Sequence, residues 1–415
     1  MENIPVYYGK VKPYDTTKAP IRQPLIFTWI LGIGSKVLML GKQYKIEKRN
    51  MDGLKPPYIL LCSHNYFVDF YLQFIATFPH RTNTIATIDG YYRRPFLMEW
   101  LGCMCKRKFT TDVSMVRSIR KVLKDYGDIL VMYPEARYSP IGTTAILPDS
   151  LAKLVKLNKV PVVCLVHHGN HLMTPFWNFR KPRKVPLHST MTQVLTAEEV
   201  KEKSVEEIAA ILRQAMDYDD YRYQKENNIR ITEPHRAEGL HKVLYQCPHC
   251  LAESQMTSQG SRLTCTACGK SWELEEDGSL RALEGETEFS HVPDWFEWER
   301  SQVRRQIEDG TYRFEDDVEV YEDMDYEGEA DTFANQQKNV KPLLPIEIFT
   351  ATCGTQDIFL VLLYLAILIQ VNIIITATIQ ITSCILGNAT IIEHIQSKAE
   401  SVPIVHMIDS TCMET

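Results

Sequence analysis

Between residues 45 and 235, four short apolar runs alternate with segments whose apolar residues recur at helical spacing. The runs are 58–62, 84–88, 129–133 and 160–166; the helical segments are 66–77, 95–101, 114–126 and 148–157. Runs this short, three of them (58–62, 129–133 and 160–166) without polar alternation, predict strands buried on both faces, which calls for a sheet with helices on either side. The predicted fold class is therefore α/β, with a central, mostly parallel sheet flanked by helices. Asp112 or Ser114 can cap the third helix, and Gly127 stops it. Residues 197–230 are helical and highly charged, and close this domain.

The first run ends at Ser63-His64-Asn65 and a helical pattern follows. His64 and Asp69 are five residues apart, about 500° on one continuous helix, so their side chains would point apart there. They meet only if His64 lies just before the helix and Asp69 on its second turn. A carboxylate-held imidazole can take a proton from a hydroxyl near neutral pH. Backbone N–H groups at the start of the helix would be free to hold an oxyanion. Two more polar clusters sit at strand or helix ends: Gly102-Cys-Met-Cys-Lys-Arg107-Lys, and Tyr133-Pro-Glu135-Ala-Arg137-Tyr-Ser139. His167, His168 and His171 read as a polar loop after a strand, since no neighbouring carboxylate completes a metal set.

His64-x4-Asp69, Gly102-x4-Arg107, Pro134-Glu135…Ser139 and Val160-Pro161-Val162 stand in the order seen in the PlsC-type glycerolipid acyltransferases. Over about residues 50–220 the chain resembles that family, which acylates glycerol-phosphate and lysophospholipids. The resemblance implies direct acyl transfer from acyl-CoA or acyl-carrier protein to the hydroxyl of lysophosphatidic acid or a related lysophospholipid. His64 and Asp69 would be the general-base dyad, with no catalytic cofactor. Gly102, Arg107 and Arg137 would line the acceptor phosphate site, and Glu135 would position hydroxyls or anchor an arginine. The third box departs from the family pattern: Ala136 replaces its glycine, Arg137 comes one place early, and Tyr138 stands where its arginine would be. A different polar acceptor therefore stays open. The competing readings are a non-catalytic lipid- or nucleic-acid-binding protein with a zinc ribbon, and a metal-dependent hydrolase built on the histidines.

Cys247-x2-Cys250 and Cys265-x2-Cys268 are separated by fourteen residues, the spacing of a four-cysteine zinc ribbon. With all four positions filled by sulfur, the zinc would be structural. Cys62, Cys103, Cys105 and Cys164 fall in apolar segments and read as buried, reduced thiols. The first twenty residues are polar and predict no secretory leader, so a reducing, cytoplasmic setting is expected.

Charge divides the chain. Residues 1–200 carry 28 Lys+Arg against 14 Asp+Glu, and the remainder 18 against 38. A basic first half suits an anionic membrane surface. The ribbon lies in the acidic half, so no nucleic-acid partner is expected. Residues 24–41 are apolar, broken by Lys36 and flanked by cations, and too short to span a bilayer. They predict a helix lying in the membrane interface on the cytoplasmic face of the cell membrane. Residues 292–307 read as an amphipathic helix, and ten of the seventeen residues from Glu315 to Asp331 are acidic. Ile358 to Ile392 contains no charge and is either a membrane anchor or an extension unrelated to the rest. The expected organisation is an interfacial segment (1–44), an acyltransferase-like domain (45–235), a zinc ribbon (240–275), a helix and acidic linker (276–335) and a hydrophobic tail (336–415).

Overall fold

The computed structural model describes residues 14–91, 95–107 and 113–313. The acidic linker, the hydrophobic tail and the capping candidate Asp112 lie outside the described residues. The strands are β1 (Tyr44–Arg49), β2 (Ile59–Cys62), β3 (Thr82–Thr87), β4 (Cys103–Lys106), β5 (Ile129–Met132), β6 (Val162–His168), β7 (Leu187–Leu195), β8 (Met256–Gln259), β9 (Arg262–Cys265), β10 (Ser271–Leu274) and β11 (Leu280–Ala282). The helices are α1 (Leu25–Leu38), α2 (Val68–Thr77), α3 (Pro95–Trp100), α4 (Val113–Arg120), α5 (Ser150–Asn158), α6 (Asn170–Met173), α7 (Ala197–Glu202), α8 (Val205–Ala215), α9 (Asp220–Glu226) and α10 (Val292–Glu308).

Seven strands form one sheet in the order β1-β7-β6-β2-β5-β3-β4. Strand β2 runs parallel to both β5 and β6, β3 is parallel to β4, and β1 is parallel to β7. The antiparallel exception is β7 against β6. The expected α/β class with a mostly parallel sheet is what the chain forms. The four predicted runs overlap β2, β3, β5 and β6, with ends displaced by up to two residues. Strands β1, β4 and β7 were not anticipated, because sequences such as Tyr-Lys-Ile-Glu-Lys-Arg in β1 bury little. The charged stretch after residue 197 forms three helices, α7 to α9, two of them opened by capping boxes at Thr196/Glu199 and Ser204/Glu207. Ser114 lies inside α4 and does not cap it; that helix passes into a π-turn over Lys121–Tyr126 before Gly127.

The chain forms two compact units. In one, comprising described residues up to 30 and from 83 to 122, Lys18 Nζ pairs with Glu99 at 2.7 Å and Phe27 packs edge-on against Trp100. The other comprises residues 31–82 and 123–312. Its core joins Tyr58, Leu60 and Cys62 to Ile129, Val131, Val163, Leu165 and Met191. Strands β2, β5 and β6 are thus apolar on both faces, as parallel central strands must be.

Helix α1 and the two residues after it, Met39 and Leu40, carry apolar side chains on both the buried and the exposed side. Phe27, Leu31 and Met39 are buried, whereas Leu25, Ile26, Trp29, Ile33, Val37 and Leu40 are exposed. Among the described residues no helix is long and apolar enough to cross a membrane.

The second sheet is antiparallel, in the order β11-β10-β9-β8. Helix α10 covers it through Trp295, whose ring meets Trp272 edge-on at 4.9 Å. The expected amphipathic helix is α10.

Candidate active site

Strand β2 delivers Ser63 and His64 to its carboxyl end, where α/β sheets leave room for a ligand. The ladder is closed there by side chain as well as backbone, since the His167 amide donates to Ser63 Oγ at 2.9 Å. A turn over Asn65–Phe67 follows, with the Asp69 amide bonded to the Tyr66 carbonyl at 3.0 Å. Helix α2 then starts at Val68, so Asp69 lies on its first turn rather than its second. That turn folds the chain back far enough for the two side chains to meet.

His64 Nδ1 lies 3.1 Å from Asp69 Oδ2. Asp69 is fully buried and its acceptor sites are full. Oδ2 also accepts the amides of Asn65 at 2.6 Å and Tyr66 at 3.0 Å, and Oδ1 accepts Asn170 Nδ2 at 2.6 Å. Burial alone would raise the Asp69 pKa. The hydrogen bond from His64, with His167 and Asn170 nearby, overrides burial and holds it below the usual carboxylate range. An ionised Asp69 accepts the Nδ1 proton and leaves Nε2 as the basic nitrogen. The Asn65 and Tyr66 amides orient Asp69, so they are not the free oxyanion donors expected from the sequence.

The third box closes the other side. The Ser139 amide donates to the His64 carbonyl at 2.8 Å, and Glu135 Oε1 accepts the His64 amide at 3.3 Å. Glu135 Oε2 accepts the Ala145 amide at 3.0 Å. Burial pushes the Glu135 pKa up to about 7; its two amide donors and Arg137 lower it, and the Asp69 charge raises it. The site thus contains one carboxyl held ionised and one poised near neutrality, the separation that acid–base chemistry uses. Ala136, where the family pattern has glycine, adopts φ 53°. The left-handed turn is kept without the residue that makes it easy.

Three aromatic rings surround the imidazole. Centroids of Tyr138, Tyr133 and Phe70 lie 4.3, 4.4 and 5.5 Å from that of His64. Tyr138 therefore packs on the His64 ring, at the position where the family pattern would put a cation. Gly102 and Arg107 bracket β4 in the other unit. Gly102 has φ 80°, and its carbonyl accepts Asn83 Nδ2 at 2.9 Å.

The histidines after β6 are not a loop. His167 and His168 belong to the strand, His171 lies in α6, and His167 and His171 are fully buried. Burial lowers His167 to about 4 and His171 to about 3, so both are neutral. A carboxylate does come near, for His168 Nδ1 lies 3.6 Å from Asp220 Oδ1, but it arrives from 52 residues away in α9. Asn170, which fixes Asp69, carried no motif and was missed for the same reason: sequence distance hid the contact.

Cys247, Cys250, Cys265 and Cys268 bring their sulfurs within 4.8 Å of one another, the one such ligand group among the described residues. Cys247 Sγ lies 3.8 Å from Cys268 Sγ, and Cys250 Sγ lies 3.7 Å from Cys265 Sγ. A tetrahedral metal with bonds of about 2.3 Å to sulfur requires edges of about 3.8 Å. The set therefore fits a metal such as zinc. The four cysteines outside the ribbon that were read as reduced are free thiols.

No protein-family model matches the chain, and no curated protein matches it. Among solved structures it is similar to the 1-acyl-sn-glycerophosphate acyltransferase PlsC of Thermotoga maritima. The likeness is 14% identity, covering 50% of this chain and 82% of that one, with a TM-score of 0.39.

Proposed function

We propose that the chain is an acyltransferase that moves an acyl group from acyl-CoA or acyl-carrier protein to the hydroxyl of lysophosphatidic acid or a related lysophospholipid. The observation that carries this is the 3.1 Å contact between His64 Nδ1 and the buried Asp69 carboxylate at the end of β2. It gives a base whose tautomer is set and whose cation is stabilised. The order of the four boxes, read from the sequence, supplies the reaction class.

As the acceptor oxygen attacks the thioester carbonyl, His64 Nε2 takes its proton. The tetrahedral adduct then expels the thiolate, which recovers that proton from the imidazolium. The products are the ester and the free thiol, and no enzyme acyl intermediate forms. Base catalysis of this kind contributes about 10²–10⁴-fold. Arg107 and Arg137 are the proposed phosphate ligands, Gly102 is proposed as a further substrate-binding residue, and Glu135 orients the acceptor. Cys247, Cys250, Cys265 and Cys268 would hold a structural zinc ion, which supplies folding energy and takes no part in the chemistry. The exposed apolar side of α1, with Lys36, Lys42, Lys45 and Lys48 near it, would rest on an anionic membrane at its cytoplasmic face.

The test is acyl transfer from acyl-CoA to lysophosphatidic acid by the parent protein and by His64→Ala. The parent should be active and the variant at least a hundredfold slower. Equal rates would sink the mechanism.

A further inference from the structure

We infer that the metal ribbon clamps the His64–Asp69 pair in place, and that Tyr218 and Asp219 are the positioning residues through which it acts. Hydrogen bonds, linked by helix α10 and by the chain from Tyr218 to Asp220, join the cysteine cluster to the catalytic turn. Gln246, next to Cys247, donates its amide to Glu299 Oε1 at 2.8 Å and accepts Trp295 Nε1 at 2.9 Å. Both partners belong to α10. His291 immediately precedes that helix and is bridged to Ser279 of the ribbon hairpin. Its Nε2 reaches Asp219 Oδ2 at 2.7 Å.

Asp219 is the middle of three residues that grip in three directions. Its Oδ1 accepts the Arg222 amide at 2.9 Å and so caps α9. Before it, the buried Tyr218 hydroxyl donates to Asn65 Oδ1 at 2.9 Å. After it, the buried Asp220 carboxylate accepts the Gly169 amide at 3.1 and 3.2 Å. Asn65 gives its amide to Asp69, and Asn170, beside Gly169, gives its side chain to Asp69. Both arms of the grip thus end on the residues that hold the carboxylate. A second strut runs parallel to the first: Gln224 Nε2 donates to the Glu276 carbonyl at 2.9 Å. Gly278, at φ 86°, lets the hairpin close on Gln224 and Tyr221.

The physical consequence follows from what holds each part together. The four-stranded ribbon is small, and metal ligation supplies much of the folding energy of such modules. A catalytic pair needs placement within about 0.5 Å. Tying the second requirement to the first makes activity depend on the metal, and on the reduced state of four thiols, although the metal touches neither substrate nor base.

The clamp rests on the acyl-transfer reading only for its kinetic readout, so the test has two arms on the full chain. Hydrogen exchange is followed in peptides covering 63–70 and 165–172, and kcat and KM are measured for acyl-CoA. Tyr218→Phe should keep its metal, lower kcat about tenfold with KM unchanged, and speed exchange in 63–70. His291→Ala should do the same with the metal retained, and His291→Gln, which can still donate to Asp219, should restore both. Chelation should speed exchange in both peptides in the parent; in Tyr218→Phe it should add little in 63–70 while still speeding 165–172, which Asp220 holds through Gly169. Unchanged protection in 63–70 after chelation and in His291→Ala overturns the clamp. So does Tyr218→Phe with a kcat within twofold of the parent. If no acyl transfer is found at all, faster exchange in 63–70 sustains the clamp while the proposed function falls.

Discussion

Replacing Asp69 by asparagine separates the chemistry of the dyad from its packing. In the parent, Asp69 accepts four hydrogen bonds, and Asn170 Oδ1 accepts none. In Asp69→Asn, the new carbonyl oxygen can keep the Asn65 and Tyr66 amides and the His64 Nδ1–H. The new amide group meets Asn170, whose own amide can turn to offer its idle oxygen. The fold should therefore survive with a small loss of stability, and His64 should keep its tautomer. What disappears is the charge. Unit charges 3.1 Å apart attract by about 5 kcal/mol at an effective dielectric of about 20. That attraction acts on the imidazolium formed as the acceptor is deprotonated, so its loss should slow kcat by about 10³-fold or more. KM should change little, because Asp69 is fully buried. Thiol release from acyl-CoA in the presence of lysophosphatidic acid gives kcat, and thermal unfolding checks the fold. A folded variant with kcat within tenfold of the parent would refute the general-base role of the pair.

Glu135 should make stability fall as pH rises. Its pKa is raised from 4.5 to about 7 in the folded chain, so its contribution is complete below about pH 4.5 and is lost by about pH 7. The change should reach about 3 kcal/mol, and Glu135→Gln should flatten that part of a denaturation series from pH 4 to 8. Ala136→Gly relieves a left-handed alanine and should raise stability by about 1 kcal/mol in urea unfolding; a loss would show that the turn is not strained. Asn170→Ala removes a hydrogen bond to a buried carboxylate and should lower kcat about tenfold with KM steady, read in the same thiol assay. Trp29→Glu with Ile33→Glu should cut sedimentation with anionic phospholipid vesicles by more than tenfold; undiminished binding would assign the exposed side of α1 to something other than lipid.

Much of the architecture was legible because burial leaves a local record. The runs at 58–62, 129–133 and 160–166 have no polar alternation, and only central parallel strands need that pattern. The cysteine spacing likewise named the four sulfurs that the fold gathers, since a tetrahedral site on two knuckles needs two residues between paired sulfurs. His64 and Asp69 were visible as a pair because both sit within one strand–turn–helix. The edge strand β1 and its neighbour β7 left no such record: both are half polar, and their pairing is decided by neighbours far along the chain.

The remainder of the site came from contacts between residues distant in sequence. Asn170 reaches Asp69 across 101 residues and Tyr218 reaches Asn65 across 153. No periodicity reports such contacts, because they depend on which strand ends the sheet order brings together. Folding also reassigned groups that the sequence had placed. The Asn65 and Tyr66 amides, free in a simple strand–helix junction, are taken up by Asp69. Local physics thus determined the strands, the cysteine set that could hold a metal and the pairing of His64 with Asp69. Tertiary structure decided how that pair is held, because a buried carboxylate must collect its donors from whatever the fold places beside it.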